Sequence, residues 1–422
     1  MNTVFALVDC NNFFVSCERA FNPALEGKAI VVLSNNDGCI ISRSNEAKQL
    51  GIPMGAPYYQ WKKIISTHGV RVFSSNFELY GDMSQRIMII LETFCPEIEI
   101  YSIDEAFLSL SSFAYHSLTT YAQDIRLAIK KWLGLPVAIG IAPTKTLAKV
   151  ATHLAKKTTA GVYNLCDPSL QEKILADFPI EQLWGIGRQT AKRLHLLNIY
   201  TAKELRDSDQ KQLRQELSIV MERMIEELRG HACLSLETVQ ARKQIMSSRS
   251  FAHLIHEIEP IEEALSHYIA NACEKLREQQ SYANALCVFL RTNHFSQKDK
   301  QYANSITIRY AYPTNNSSYM ITLAKAALKK IFRTGYHYHK VGVILLELIP
   351  DTIKQMDLFL PEQVGLKSDK LMATIDHINT LMGRHSLQFC AEGIQKKWRM
   401  KCDLRSPRYT TRKNELKIVK CE

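Results

Sequence analysis

Two stretches in the first quarter of the chain bring apolar, β-prone runs up against carboxylates. Thr3–Val8 ends on Asp9, and the runs Ile98–Ile103 and Ala106–Leu110 are broken only by Asp104-Glu105. A charge at the end of an apolar strand is costly unless a sheet edge offers it a partner, and a divalent cation is one such partner. Neighbouring residues of a regular strand point to opposite faces. Asp104 and Glu105 can therefore serve one site only if the backbone turns between them, as it does in a hairpin. Taken alone, an acidic pair in a turn is more simply a solvated pair. The surrounding sequence has to decide.

That sequence alternates strand-like and helix-like segments. Lys28–Leu33 is a second strand, and Ser34-Asn35-Asn36-Asp37-Gly38 is a turn. Asp82–Phe94 and Tyr121–Leu133 carry helical periodicity, Val137–Ile141 reads as a buried strand, and Thr144–Lys157 as a further helix. On that last helix Leu147, Val150, Ala151 and Leu154 share one face, with Lys145, Lys149 and Lys156 opposite, where a lysine stripe is ordinarily solvated. Residues 166–235 are mainly helical in pattern. From about 242 the order becomes β-α-β-β-α-β, given an opening strand near Met246–Phe251: helix Ile261–Gln279, strands Asn284–Arg291 and Ser305–Tyr310, helix Ser318–Phe332 and strand Lys340–Leu348. After Pro350 long periodic runs cease, and 351–422 reads as a polar, partly disordered tail. The whole predicts an α+β multidomain chain.

Charge points to the partner. The net charge is +11, and from Lys396 to Glu422 there are ten Lys/Arg against three Asp/Glu, a balance that favours a polyanion such as nucleic acid. The 11 cysteines are scattered without a C-x-x-C pair, which argues against a disulfide framework or zinc ribbon and for a reducing cytoplasm. The start lacks the basic region of a signal peptide, and no apolar run reaches the roughly 18 residues of a membrane span. The expectation is a soluble cytoplasmic protein with no membrane partner.

The carboxylates gain meaning from their neighbours. Asp9-Cys10-Asn11-Asn12-Phe13-Phe14-Val15-Ser16-Cys17-Glu18, with Tyr101-Ser102-Ile103-Asp104-Glu105-Ala106-Phe107, resembles the two catalytic motifs of the Y-family DNA polymerases. Ser34-Asn35-Asn36-Asp37-Gly38-Cys39, Asn45-Glu46-Ala47-Lys48 and the basic end resemble the UmuC group within that family. The resemblance implies a right-hand architecture: palm (1–22 and 76–165), small fingers (23–75), helical thumb with a helix-hairpin-helix (166–235) and a ferredoxin-like little finger (242–350). It implies template-directed addition of dNTPs to a primer 3′-hydroxyl, with error-prone bypass of damage in the SOS response.

By the same resemblance Asp9, Asp104, Glu105 and the Cys10 carbonyl hold two Mg²⁺ ions. Phe14 is an aromatic steric gate against the ribose 2′-hydroxyl, in a position where Tyr is commoner. Ser42, Asn45, Lys48 and Lys156 match positions that contact the triphosphate, although many members carry Tyr and Arg where Asn45 and Lys48 stand; Lys neutralises a phosphate without gripping it bidentately. Lys145 and Lys149 are secondary candidates. Gly185-Ile186-Gly187 resembles a hairpin turn whose amides bind a primer-template DNA phosphate. Gln355, Leu358 and Phe359 resemble the peptide by which bacterial polymerases hold the β sliding clamp, and the likeness to UmuC brings a UmuD′ dimer and RecA as partners. Two other readings stay open at this point: a DNA-binding scaffold with a retired active site, and a palm-type nucleotide cyclase.

Overall fold

A computed structural model describes residues 3–113, 117–237, 240–353, 362–396 and 398–416. The chain forms two compact units, one of Met1–Ser34, Gly38–Val239 and Leu404–Glu422, the other of Asn35–Asp37 and Gln240–Asp403.

The first unit is assembled in chain order from β1 (Phe5–Cys10), α1 (Phe13–Phe21), β2 (Ile30–Leu33), β3 (Ile40–Arg43), α2 (Asn45–Gln49), α3 (Tyr58–Thr67), β4 (Arg71–Ser74), α4 (Phe77–Phe94), β5 (Ile98–Ile100), β6 (Glu105–Ser109), α5 (Leu118–Leu133), β7 (Val137–Ala142), α6 (Lys145–Ala155) and β8 (Val162–Asn164). Helices α7 (Pro168–Asp177), α8 (Arg188–Leu196), α9 (Ala202–Asp207), α10 (Gln210–Glu216) and α11 (Ile219–Leu228) follow. A five-stranded sheet runs β5-β6-β1-β7-β8, and a three-stranded one β3-β2-β4.

Every residue of β1 is buried because both faces of the larger sheet are covered. Ala6, Val8 and Cys10 join a core with Phe13, Val15, Leu79, Ile87 and Ile125 from α1, α4 and α5. Phe5 and Leu7 face the other way, into a core with Leu147 and Ala151 of α6 and with α7–α11. Helix α6 lies very close to the sheet at Gly140, where a Cβ would fall 2.2 Å from the Thr152 backbone nitrogen. Only glycine fits there.

The second unit comprises β9 (Ile245–Ile255), α12 (Ile258–Glu278), β10 (Ser281–Thr292), β11 (Ala303–Thr314), α13 (Ser317–Ile331), β12 (Tyr338–Pro350) and α14 (Glu362–Met382). The sheet is antiparallel throughout, in the order β11-β10-β12-β9, so each β-α-β pair is split by a third strand.

The reading of 351–422 as a loose polar tail is corrected. It contains the 21-residue helix α14, and Leu404 onward packs within the first unit. Polar bonds hold α14: Arg277 forks onto Asp376 at 2.5 and 2.7 Å, and the Tyr282 hydroxyl donates to Asp369 at 3.2 Å. Of its apolar side chains Met372 is buried, but Leu371, Leu381 and Met382 are exposed, so the apolar residues of the helix do not trace one clean core face. Among the described residues no helix is long and apolar enough to cross a membrane.

Candidate active site

Strand alternation fixes where the carboxylates point. Asp9 sits opposite Glu105 in the antiparallel pairing of β1 with β6, so both side chains leave the same face, the one covered by α6. The backbone turns just before β6: the N–H groups of Tyr101 and Ser102 both donate to the Glu105 carbonyl, at 3.1 and 3.0 Å. Asp104 lies in that turn. Its carbonyl accepts the Cys10 N–H at 2.9 Å, and its carboxylate accepts the Ser102 hydroxyl at 2.6 Å.

Two lysines of α6 meet the facing carboxylates. Lys156 Nζ lies 2.6 Å from Asp9 Oδ2, and Lys149 Nζ lies 2.8 Å from Glu105 Oε2. Lys149 also sits 4.3 Å from the centre of the Tyr101 ring and 5.7 Å from that of Trp184, a cation–π cradle whose two rings are tied by an indole-to-hydroxyl bond of 3.0 Å. Lys145 is buried and bonds Glu99 Oε2 at 2.5 Å. The lysine face is thus not simply solvated: each of these lysines has a carboxylate partner, and Lys145 and Lys149 are enclosed while Lys156 stays exposed. The helix is enclosed on a second side by α11, where Glu227 accepts the Thr146 N–H at 3.0 Å.

Burial is the largest influence on Asp9. It pushes the carboxyl up to about 7 against the pull of Lys156, and the hydrogen bond to Glu105 adds to the rise. Glu105 is also partly desolvated, but hydrogen bonds from Asp9 and Lys149 outweigh that and hold it below the ordinary range. Burial thus favours a proton on Asp9, while its hydrogen bonds favour the ionised form of Glu105. A carboxyl that burial leaves reluctant to ionise is a natural ligand for a divalent cation, which would replace that proton.

Asp104 stands apart from the pair. Its charge acts on Cys10 and Cys17, on the α1 side, and among the described residues Asp9, Asp104 and Glu105 do not form a trio with all donor atoms within 4.8 Å. His267, His385 and Glu392 do form such a trio. There, however, His267 Nδ1 already bonds Glu392 Oε2 at 2.7 Å, and the buried Lys396 ammonium stands 3.9 Å from the same oxygen. That carboxylate already has a hydrogen-bond partner and a neighbouring ammonium.

Phe14 lies in the first turn of α1, its ring stacked on Tyr80 with centroids 4.7 Å apart and set edge-on to Phe77 at 5.9 Å. Asn12, left-handed at the α1 N-terminus, donates its amide to Asn45 Oδ1 at 3.1 Å, and Lys48 Nζ reaches the same oxygen at 3.4 Å. Ser42 is buried on β3. Burial lowers the Lys48 pKa first, followed by repulsion from Arg43 and Lys156, and Asp9 opposes the drop. Lys48 and Lys156 thus share one electrostatic neighbourhood with Asp9. A cavity of 250 Å³ is lined by Asp9, Glu105, Lys149, His153, Lys156 and Trp184.

Gly187 is the N-cap of α8, preceded by the positive-φ Gly185 and the buried Ile186. A Cβ on Gly187 would meet nothing within 4 Å, so the protein itself does not require glycine there. Gln355, Leu358 and Phe359 lie outside the described residues. Sequence reading passed over the roles of Tyr101 and Trp184 as the cradle of Lys149. Their only signal is that both rings stand inside motifs selected for other residues.

Comparison with known proteins gives this geometry a family. Residues 8–153 match the impB/mucB/samB family, residues 242–358 match that family's C-terminal domain, and residues 369–419 match a domain of unknown function. Protein UmuC of Salmonella typhimurium is 42% identical, over 99% of this chain and 100% of its own, and Protein ImpB of Salmonella typhimurium is 38% identical over the same shares. DNA polymerase IV 1 of Bacillus subtilis is 28% identical over 89% of this chain and 90% of its own. A solved Y-family DNA polymerase chimera of Dbh and Dpo4 has the same fold, with a TM-score of 0.66 at 20% identity, covering 82% of this chain and 99% of that one. The chain belongs to the impB/mucB/samB family, is UmuC-like over nearly its whole length, and has the fold of a Y-family DNA polymerase.

Proposed function

We propose that the chain is a template-directed DNA polymerase of the translesion type, and that the facing carboxylates of Asp9 and Glu105, with Asp104 in the adjoining turn, are its catalytic centre. The observation that carries the reading is the buried Asp9–Glu105 pair at a sheet end, flanked by the lysines of α6. The donor set is hard oxygen: the three carboxylates and the Cys10 carbonyl would hold two Mg²⁺ ions. When bound, such ions activate the primer 3′-hydroxyl and neutralise the leaving pyrophosphate.

The 3′-oxygen bonds to the α-phosphorus of the dNTP as the bond to the bridging oxygen breaks, releasing pyrophosphate. Lys156, free to turn from Asp9 once that carboxylate has another counter-charge, neutralises the triphosphate together with Lys48; Ser42 and Asn45 orient it by hydrogen bonds. Phe14, backed by Tyr80, packs under the sugar and leaves no room for a 2′-hydroxyl. The N–H groups at the start of α8, reached through Gly185-Ile186-Gly187, bind a phosphate of the primer-template.

In this reading the five-stranded sheet is the palm, the three-stranded sheet the fingers, α7–α11 the thumb and the β9–β12 sheet the little finger. Gln355, Leu358 and Phe359 engage the β sliding clamp, and a UmuD′ dimer and RecA are partners in the cytoplasm during the SOS response. The test is primer extension with Mg²⁺, in the presence of the accessory proteins, by wild type and Asp104→Ala. Wild type should extend past an abasic site, and Asp104→Ala should bind primer-template without extending it. Extension by Asp104→Ala removes that residue from the centre; a wild type that binds DNA but never extends overturns the enzyme reading.

A further inference from the structure

The segment that follows the second unit, Leu404–Tyr409, makes its contacts at one end of α4. Leu404 and Ser74 bond through backbone and hydroxyl, at 3.1 and 3.0 Å. Asn76, the N-cap of α4, accepts the Leu79 N–H on its side-chain Oδ1 at 3.4 Å. Its amide nitrogen donates to the Ser406 carbonyl, the Ser406 hydroxyl and the Pro407 carbonyl, at 3.1, 3.0 and 3.2 Å. The Ser406 hydroxyl in turn donates to Glu18 Oε1 at 2.9 Å, and the Tyr80 hydroxyl donates to the same oxygen at 2.6 Å. Arg408 bonds Glu78 at 3.1 Å and grips Glu415, while Tyr409 stacks on Phe21 at 4.8 Å, with ring planes 7° apart.

These contacts share a target. The first turn of α4 carries Phe77 and Tyr80, the two α4 rings against which Phe14 packs. Glu18 stands one turn after Phe14 on α1, so it ties the same two helices together from below. Glu18, Asn76 and Tyr80 are each 2% exposed or less, and a buried carboxylate whose donors come from Tyr80 and Ser406 is a rigid joint rather than a surface contact. Nothing in the reaction requires a glutamate there.

We infer that Leu404–Tyr409 is a positioning strap for the sugar gate: through Ser406, Asn76 and Glu18 it fixes Tyr80, and through Tyr80 the ring of Phe14. This rests on the reading of Phe14 as the gate. The strap does not touch the nucleotide. Its effect is on how firmly the gate ring resists displacement by a 2′-hydroxyl, and hence on the choice between ribo- and deoxynucleotides.

The experiment is single-nucleotide insertion by the full chain with its accessory proteins, comparing kcat/KM for CTP and dCTP opposite a template guanine. Ser406→Ala removes the strap's donor to Glu18, and Tyr80→Phe removes the other donor while keeping the ring. Each should raise the CTP/dCTP ratio by about three- to tenfold, the scale of one ordinary hydrogen bond net of its exchange with water. Ser406→Thr, which keeps the hydroxyl, should restore the wild-type ratio. Adding Ser406→Ala to Phe14→Ala should change the ratio no further, because no gate remains to be held.

A ratio unmoved by both Ser406→Ala and Tyr80→Phe, while Phe14→Ala raises it, overturns the strap and leaves the gate standing. If Phe14→Ala itself leaves the ratio unchanged, gate and strap fall together. A Ser406→Ala effect that simply adds to that of Phe14→Ala also overturns the inference. Tyr80→Phe keeps the test decisive should the Ser406 variant not fold.

Discussion

Replacing Lys145 with methionine tests whether the α6 lysines are structural partners or a solvated face. Lys145 Nζ donates to Glu99 Oε2 at 2.5 Å and to the Ser235 carbonyl at 2.7 Å, and it lies 5.1 Å from the centre of the Phe107 ring. Methionine fills the same volume but leaves the Glu99 carboxylate, with a side chain 10% exposed, without its counter-ion. One donor survives, the Glu237 N–H at 2.6 Å from Oε2. Removing one member of a buried pair typically costs about 3–5 kcal/mol. The surviving N–H bond puts Lys145→Met near the lower end, at about 3 kcal/mol. Neutralising the stranded acid should recover part of that loss, so the Lys145→Met/Glu99→Gln double variant should be more stable than Lys145→Met alone, with a coupling of about 1–3 kcal/mol. Urea unfolding followed by tryptophan fluorescence measures all four corners of the cycle. A Lys145→Met cost below about 1 kcal/mol, or strict additivity with Glu99→Gln, would refute the buried pair. The pair also matters for the site, because Glu99 belongs to β5, the strand that leads into the turn carrying Asp104.

Two further outcomes follow from the packing. Gly140→Ala would drive a methyl group into the Thr152 backbone, which cannot yield without displacing α6; a loss of about 3 kcal/mol, with lower primer-extension kcat/KM from displaced Lys149 and Lys156, is expected, and a melting temperature equal to wild type would count against the close approach. Hydrogen bonds from Arg408 hold the Glu415 carboxyl down at about 2 from its ordinary 4.5. A depressed folded-state pKa means that the pair's stabilisation is complete above pH 4.5 and is lost as pH falls toward 2. Arg408→Ala should therefore melt below wild type at pH 7, with the gap closing across that window; a gap independent of pH would mean that the Arg408–Glu415 pair contributes nothing.

What the sequence could and could not convey follows from the range of the interactions involved. The β-α-β-β-α-β order of the second unit was legible because each element buries one side against one core, which leaves a period in the residues. Asp9 and Glu105 were legible as a candidate site because motif and strand end coincide, and strand alternation then sends both toward α6. The partners of Lys145 and Lys149 were not legible, because a helical wheel shows where a lysine points and not that a second layer, α7–α11, will pack against the helix. Helix α14 escaped for a related reason: besides the buried Met372 its anchors are an Arg277 fork and a tyrosine hydroxyl, and single polar bonds leave no periodicity. Glu18 is the sharpest instance. It stood within the motif that identified the site, yet its carboxylate is completed by Ser406, 388 residues away. A charged residue on a helix of otherwise buried neighbours has to find its donors somewhere, and when they come from the far end of the chain that end cannot be a loose tail. The same requirement shapes both residues: in the proposed reading one buried carboxylate, Asp9, is open to a metal, while the other, Glu18, is completed by Tyr80 and Ser406 and joins the helices that carry the proposed gate ring.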